Sequence, residues 1–578
     1  MDRTAWIAVA LCVIGLVLWE VYLAKQTQRK PAPANTPAQL SPTPTAAANA
    51  SASPLATAVP GIAPKVGEAI PSFPEQVETL RNSDVELRLT NRGGGIKEAI
   101  LLNHVAEKGE RVVLNSAECA PIGAIIEQPS APSLPEFTAS HESNATVQFE
   151  RTTPEQVTIR KKFFFPKSAE TKDNFVAEMD VDLQNAGPNP YVNNGYFVAL
   201  GSAAPIHPKD YPSYTRLVWC IDGKAKGIDV GWFGGGGGIF GLGQRAAQPF
   251  YLGNVPGAEW IAVSNQFFTT LLVPLTAKAT TAWGRRFDIV RWPEQKAFGI
   301  EGALGMPGFQ LQPGQTYHAR FEVYTGPKLY HRLAQLEHNE AEIMDFGMFK
   351  LVCQFLLNFM NSLHGVLGNY AAAILALTTI IKLVLWPLQN KANRSMRQMG
   401  ALSPKMQELR EKYKDDPTRM NQEVMKMYKE YGINPVGGCL PMVIQIPIFF
   451  GLFKMLGQAV ELRNAKFLWV RDLSQPDTIG HLPLLGWPVN IIPLCMAATQ
   501  IWLMQMTPKT GDATQRRVMM FTPLIFLFIC YNFAAALALY YTTQNLFSIL
   551  QFYQNKNQPM PALEKVASTA KRARKNRR

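Results

Sequence analysis

Residues 438–459 read GCLPMVIQIPIFFGLFKMLGQA, a stretch with one charge, Lys454. As a helix rising about 1.5 Å per residue it reaches about 33 Å, enough to cross roughly 30 Å of hydrocarbon. Comparable apolar runs lie at 364–386 and 482–504, and a longer one at 518–553. As one helix the last would reach about 54 Å, so it folds back, and Asn532 marks the expected corner. Near the N-terminus, residues 5–23 (AWIAVALCVIGLVLWEVYL) form another run of span length. No small-x-small site follows it, and Leu11 before Cys12 is a poor lipoprotein signal, so an uncleaved anchor is expected. The count is six spans including the anchor.

A composition of 47% hydrophobic and 17% charged residues would by itself suit a soluble protein, but the average conceals two halves. From Lys30 to Gly67 the chain is rich in Pro, Ala, Ser and Thr, a composition that buries no core and reads as a tether. From about 75 to 328, β-branched and aromatic runs such as VELRLTN, QVTIRKKFFF and HARFEVYTG recur between Gly, Pro and Asn, the pattern of short strands. Phe175, Ala177, Met179, Val181 and Leu183 alternate with Glu178, Asp180 and Asp182, the period of a half-buried strand. An antiparallel β-sandwich is expected. A polar helical connector (LYHRLAQLEHNEAEIM) follows, and then Phe346 to Asn361, where Lys350, Gln354, Asn358 and Asn361 form one polar stripe. Such a helix lies in the membrane interface or, alternatively, packs on the sandwich.

The net charge of +13 has an address. Residues 388–437 carry ten Lys/Arg against six acids, 505–517 three against one, and 553–578 eight against one. These segments account for the whole excess, and basic loops belong on the cytosolic side. By parity the segment 460–481 and the β-domain lie outside, with both termini in the cytosol. The anchor's own flanks, Arg3 before and Lys25, Arg29 and Lys30 after, point the other way, and the later loops outweigh them.

The resulting partition is an anchor at 1–24, a Pro/Ala-rich linker at 25–74, and an extracytoplasmic β-domain at 75–330. A connector with an interfacial helix occupies 331–362, and a membrane core 363–553 contains a cytosolic helical hairpin at 388–433. A basic tail fills 554–578. In the hairpin, Ser403 with Pro404 and Asp416 with Pro417 begin two helices, and Gly432 ends the second. Met406, Met420 and Met427 fall on their apolar faces, either packing the two helices together or offering an adaptable surface to varied apolar partners.

No CxxC, no Cys/His set suited to zinc and no GxxxxGK[ST] occurs, so no metal, cofactor or nucleotide is expected. Gly234–Gly238 reads as a loop. Cys119 and Cys220 share the β-region, and their spacing neither requires nor forbids a disulfide. Lys382 is the only charge inside its span, and an intramembrane ionisable group is a functional candidate by default. Lying five residues before Pro387, it has the alternative of snorkelling to the interface. Gln445, Gln500, Gln544 and Asn545 are further polar groups in spans, each costly against lipid unless it meets protein or water. They serve as interhelical hydrogen bonds or, with Lys382, wet a groove. The tail KRARKNRR (Lys571, Arg572, Arg574, Lys575, Arg577, Arg578) suits polyanions such as the ribosome, or anionic lipid.

Residues 434–449, NPVGGCLPMVIQIPIF, carry a family resemblance. Asn434, Pro435, Gly437, Gly438, Cys439, Pro441, Gln445, Pro447 and Phe449 resemble the signature entering the third span of the bacterial branch of the YidC/Oxa1/Alb3 membrane protein insertases. The amphipathic helix, the charged hairpin and VELRNAKFLWVRDLS (460–474) are similar to that family in order and spacing. Trp260, Ala262, Gln266 and Phe268 resemble a stretch of its periplasmic domain. The resemblance implies a five-span insertase core enclosing a hydrophilic groove open to cytosol and lipid and closed toward the outside, and a periplasmic super-sandwich. It also implies client membrane proteins and the Sec translocon as partners, and no bond chemistry. The family usually carries arginine in the groove five residues before a proline; here that position is Lys382, which keeps the charge but lacks the planar fork. NFAAA (532–536) stands where relatives have a Pro/Gly turn. A secondary transporter of a small solute also places polar groups in spans and is the competing reading, although no inverted repeat is evident. A carbohydrate enzyme built on the sandwich would need a carboxylate or His constellation, and none is evident.

Overall fold

The computed structural model describes residues 73–556 apart from 118, 128, 130–132, 144, 167–173, 236–244, 293–295, 434–439, 484–485 and 507–512. The expected anchor at 1–24, nearly all of the 25–74 linker, Asn434 to Cys439, part of the Gly234–Gly238 run and the whole tail at 571–578 lie outside the described residues. Among the described residues the chain forms two compact units. One holds the strands through Pro327 together with Arg332–Ile343; the other holds Lys328–His331 and the chain from Met344 onward.

The first unit is built of antiparallel sheets. Val77–Arg81, Val85–Thr90, Gly95–Val105 and Arg111–Leu114 pair in sequence order. A five-stranded sheet runs from Phe250–Ala258 at one edge, through Ala297–Leu311 at its centre, to Ile125–Ile126 at the other edge. A nine-stranded sheet runs from Lys224–Asp229 to Thr138–Ser143. In the strand Val176–Asn185 the expected alternation is present: Ala177, Met179, Val181 and Leu183 are buried. On its other face Asp180 accepts from Arg320 at 2.7 Å and Asp182 meets His318 at 2.6 Å. The five- and nine-stranded sheets pack face to face so closely that a Cβ on Gly302 would lie 2.7 Å from Val263 and 2.9 Å from Leu217. Only glycine fits there.

One inward position of the nine-stranded sheet holds a cation. Lys161 is fully buried; its Nζ donates to the Gly93 carbonyl at 2.6 Å and the Gly123 carbonyl at 3.2 Å and sits 4.7 Å from the centre of the Phe137 ring. Burial away from water penalises the ammonium and pulls its pKa down to about 7. Cys119 and Cys220 are both free thiols, so no disulfide links them. The polar connector is not one helix: only Tyr330–Leu333 is α-helical, followed by a 3-10 turn at Glu340–Ile343.

The second unit is helical. Helix α1 spans Lys350–Leu367, α2 Tyr370–Ala401, α3 Ser403–Lys412, α4 Pro417–Glu430, α5 Leu440–Leu456, α6 Ile491–Met506, α7 Ala513–Cys530 and α8 Ala535–Lys556. Among the described residues α2 alone is long and apolar enough by itself to cross a membrane, and Ile444–Leu456, Ile491–Met506 and Phe521–Cys530 are shorter apolar helices.

Several expected boundaries move. The helix expected as the first core span begins at Tyr370, because Gly368 turns the chain at φ 67° and Asn369 caps α2 by accepting from Ala372 N. The helix then continues through Pro387 to Ala401, so 388–401 is the basic continuation of that helix instead of the opening of the hairpin. The run at 482–504 is helical only from Ile491. Before it, Thr478–His481 pairs with Pro488–Asn490, and Pro483, Pro488 and Gly486 (φ 64°) oppose helix there. The last run breaks between Cys530 and Ala535, around Asn532.

Helix α1 has three sectors where the sequence suggested two. Cys353, Leu356, Leu357 and Met360 are buried against the unit, which includes α2 and α5. Lys350, Gln354, Asn358 and Asn361 form the polar stripe, and beyond it Leu351, Phe355 and Val366 stand exposed. An apolar strip beside a polar one suits a membrane interface.

Candidate functional site

Helix α8 carries a polar stripe on one face, Tyr540, Gln544, Ser548, Gln551 and Asn555, with spacings of four, four, three and four that keep the positions nearly in line. A polar group inside an apolar bundle must find a partner, and each of these does. At the end nearest the hairpin, Gln551 Nε2 donates to the Trp386 carbonyl at 3.2 Å and to Asn390 Oδ1 at 2.7 Å, bracing α2 on both sides of Pro387. Asn555 donates to the same Asn390 oxygen at 3.0 Å, and Arg397 donates to the Asn555 carbonyl at 2.8 Å.

One step further along, Lys382 Nζ donates to Ser548 Oγ at 2.8 Å, and Ser548 Oγ donates to the Gln544 carbonyl at 3.0 Å. The ammonium is thus turned across the bundle toward α8, not along its own helix toward the interface. Next, Gln445 of α5 donates to Gln544 Oε1 and to Tyr540 Oη, both at 3.1 Å. Asn545, one residue off the stripe, donates to Thr499 Oγ1 at 3.1 Å and to the Met496 carbonyl at 3.3 Å on α6. Gln500, half-buried on α6, lies outside these hydrogen-bonded sets. Three of the five expected span residues, Lys382, Gln445 and Gln544, therefore join one linked polar set, and Asn545 makes a separate tie to α6. Ser548, Asn390, Gln551, Asn555 and Tyr540 were not singled out from the sequence; the spacing along α8 was the available signal.

Beyond the Gln445–Gln544 layer the chemistry changes from polar to aromatic. Phe449 of α5, Phe526 of α7 and Tyr541 of α8 contact one another, with centroid separations of 5.8, 5.3 and 5.2 Å. One turn further, Phe453 lies 5.1 Å from Phe533. The loop at that end ties the helices together. Asp477 accepts from Ile492 N at the start of α6 and from the Trp469 indole, and the Leu473 and Gln475 carbonyls accept from Ala536 N and Ala535 N at the start of α8.

The hairpin uses its methionines internally. Leu402, Met406, Met427 and Ile433 form a buried cluster with Leu409, Val424 and Tyr428 around it, so Met406 and Met427 are not open surface. Met420 is half-buried and the neighbouring Met425 is exposed.

Two family models match the chain: "60Kd inner membrane protein" over residues 362–561 and "YidC periplasmic domain" over residues 78–359. A protein of Syntrophus aciditrophicus called membrane protein insertase YidC is 29% identical over 96% of this chain and 100% of its own length. Another of that name, from Syntrophobacter fumaroxidans, is 37% identical over 52% of this chain; the matched stretch spans about half of that relative, 53%. A solved structure described as an active YidC insertase with its first transmembrane domain resolved covers 84% of this chain and 95% of its own, at 18% identity and a TM-score of 0.35.

Proposed function

Since this chain belongs to the bacterial YidC family of membrane protein insertases, we propose that its helical unit inserts client membrane proteins through the polar interior lined by α2, α5, α6 and α8. The chain is a membrane protein insertase with a β-rich domain and a helical C-terminal region; the comparisons give the solute-transporter reading no support. The observation that carries the site is the layered set from Asn555 through Ser548–Lys382 to Gln445–Gln544, which joins α8 to α2 and α5.

A client's polar flank crosses bare hydrocarbon at several kcal/mol per charged or unsatisfied group. Side chains that already hold hydrogen bonds within a partly hydrated interior exchange those bonds for bonds to the flank, lowering the barrier without covalent chemistry. Burial of the client's own apolar segment in lipid then drives the step, at roughly 25 cal/mol per Å² removed from water. No nucleotide is needed.

On this reading the anchor is a sixth span, the β-unit is a periplasmic super-sandwich, and the hairpin and both termini are cytosolic. The Sec translocon is a partner. The basic tail meets the ribosome, a contact that chains lacking 556–578 would lose in salt-dependent cosedimentation.

The site is tested by photo-crosslinking. A photoreactive residue at 445, 500 or 544 is expected to capture an arrested client segment, whereas one at 528, where Phe528 is exposed on α7, captures lipid. Client capture at 528 with none at the three interior positions would contradict the assignment.

A further inference from the structure

The loop that joins α5 to α6 carries an apolar hairpin held out from the bundle. From Thr478 to Asn490 the sequence reads TIGHLPLLGWPVN, with no Asp, Glu, Lys or Arg. Ile479, Leu482 and Trp487 are 57%, 45% and 66% exposed, and Pro483 is exposed beside them. The hairpin is nevertheless firmly built. Thr478–His481 pairs with Pro488–Asn490, Leu482 N donates to the Trp487 carbonyl and Gly486 N to the Leu482 carbonyl, both at 2.9 Å. Pro483 and Pro488 have no N–H to leave unpaired. At the root, fully buried Asn490 accepts from Thr478 Oγ1 at 2.7 Å and donates from Nδ2 to the Tyr531 carbonyl at 2.8 Å. The Tyr531 hydroxyl in turn donates to the Pro488 carbonyl at 2.6 Å.

We propose that this hairpin is a membrane anchor, its tip residues Leu482, Pro483 and Trp487 set among the headgroups and first acyl carbons of the leaflet opposite the helical hairpin. Its occupant is phospholipid. The inference rests on the membrane placement of the helical unit given above and not on the groove. Three observations favour lipid over water. The hairpin begins and ends on helices of the membrane unit, so it lies where the chain leaves the bilayer. Helix α6 has 16 residues and reaches about 24 Å, short of roughly 30 Å of hydrocarbon; the apolar run that contains it starts earlier, at Leu482, and the hairpin carries that run through the remaining depth. Finally, a segment can leave water only if its backbone polar groups are paired or missing, which the ladder, the two turn bonds and the prolines provide. Trp487 suits the boundary, its ring apolar and its indole N–H free to meet headgroups. Tyr531 lies between α7 and α8, and Asp477 beside the hairpin accepts from Ile492 N at the start of α6, so the anchor sets the depth of three helix ends at once.

Photo-crosslinking of the full-length protein in phosphatidylethanolamine and phosphatidylglycerol vesicles tests this. A photoreactive residue at 482 or 487 is expected to give phospholipid adducts by mass, at least about tenfold above one at 415 in the helical hairpin, where Asp415 is exposed, and comparable to one at 528. Yields at the level of 415, or adducts to a second copy of the chain or to a client in place of lipid, would overturn the anchor. Leu482→Asp and Trp487→Asp together should cut the lipid adducts of a photoreactive residue at 479 at least about fivefold, because two carboxylates are driven out of the leaflet. An unchanged yield at 479, with the variant present at wild-type level, would also overturn it. Client capture at 445, 500 and 544 is read in the same vesicles, so failure of the anchor and failure of the groove reading stay distinct.

Discussion

Replacing Lys382 by Glu is expected to reduce insertion of a client with an acidic translocated tail on the order of tenfold or more, and insertion of a matched neutral-tail client far less. The ammonium is the one charge on α2 before Pro387 and is directed at Ser548 across the bundle. Two unit charges a few ångströms apart at the effective permittivity of a protein interior interact by about 1–4 kcal/mol, and 1.4 kcal/mol is tenfold. Reversing the sign turns that attraction into repulsion. Lys382→Gln removes it and falls between, and Lys382→Arg keeps activity because the charge remains and the guanidinium adds donors. An interface anchor would behave differently: Gln nearly silent on both clients, and any defect confined to protein abundance. Equal insertion of both clients by the Lys, Gln and Glu forms at matched abundance would reduce Lys382 to that role.

The second large effect lies in the β-unit. Lys161→Ala is expected to destabilise it by about 3–4 kcal/mol, since the change opens a cavity in a packed interior and strips the Gly93 and Gly123 carbonyls of their donor. Lys161→Met fills the cavity and should cost about half as much. The two forms also separate with pH. Below about pH 7 the lysine is protonated in both folded and unfolded chains, and the folded state bears the cost of burying it. From about 7 up to the ordinary value of 10.5 the unfolded chain keeps a proton that the folded one has released, so stability rises with pH, by at most about 1.4 kcal/mol per unit. Denaturant midpoints of wild type minus Lys161→Met should therefore grow between pH 6 and pH 9. A pH-independent difference would place the ammonium in contact with water.

Much of this architecture was legible from residue patterns, because burial in lipid or in a sheet imposes a period that survives without any knowledge of partners. The alternation at Phe175 to Leu183, the hairpin punctuated by Asp416 and Gly432, and the break near Asn532 are all local signals. What escaped was set by tertiary pairing or by backbone detail. Apolarity runs straight through Gly368 and Asn369, so hydropathy merged the end of α1 with the start of α2, and only the φ 67° turn and the Asn369 cap separate them. At 482–490 the apolar residues continue the pattern of α6, yet two prolines and Gly486 deny it a helix. Gln445, Gln544 and Asn545 stood out as costly residues, whereas Ser548 is unremarkable by type and matters only because α2 places Lys382 opposite it. Lys161 lay within reach: it shares the inward parity of Val157 and Phe163 in its strand, and a lysine on that parity is either an error of register or a buried cation.

On the proposed mechanism this chain alone, without nucleotide, lowers the barrier to insertion. Purified protein in lipid vesicles, given a short single-span client and no ATP or GTP, measures it most directly through protease protection of the client's translocated tail. Protected client is expected with the wild-type chain, reduced with Lys382→Glu for an acidic tail, and at background in protein-free vesicles. Protection at background level with correctly oriented wild-type protein, or protection that appears only on adding nucleotide, would show that the chain does not insert clients unaided.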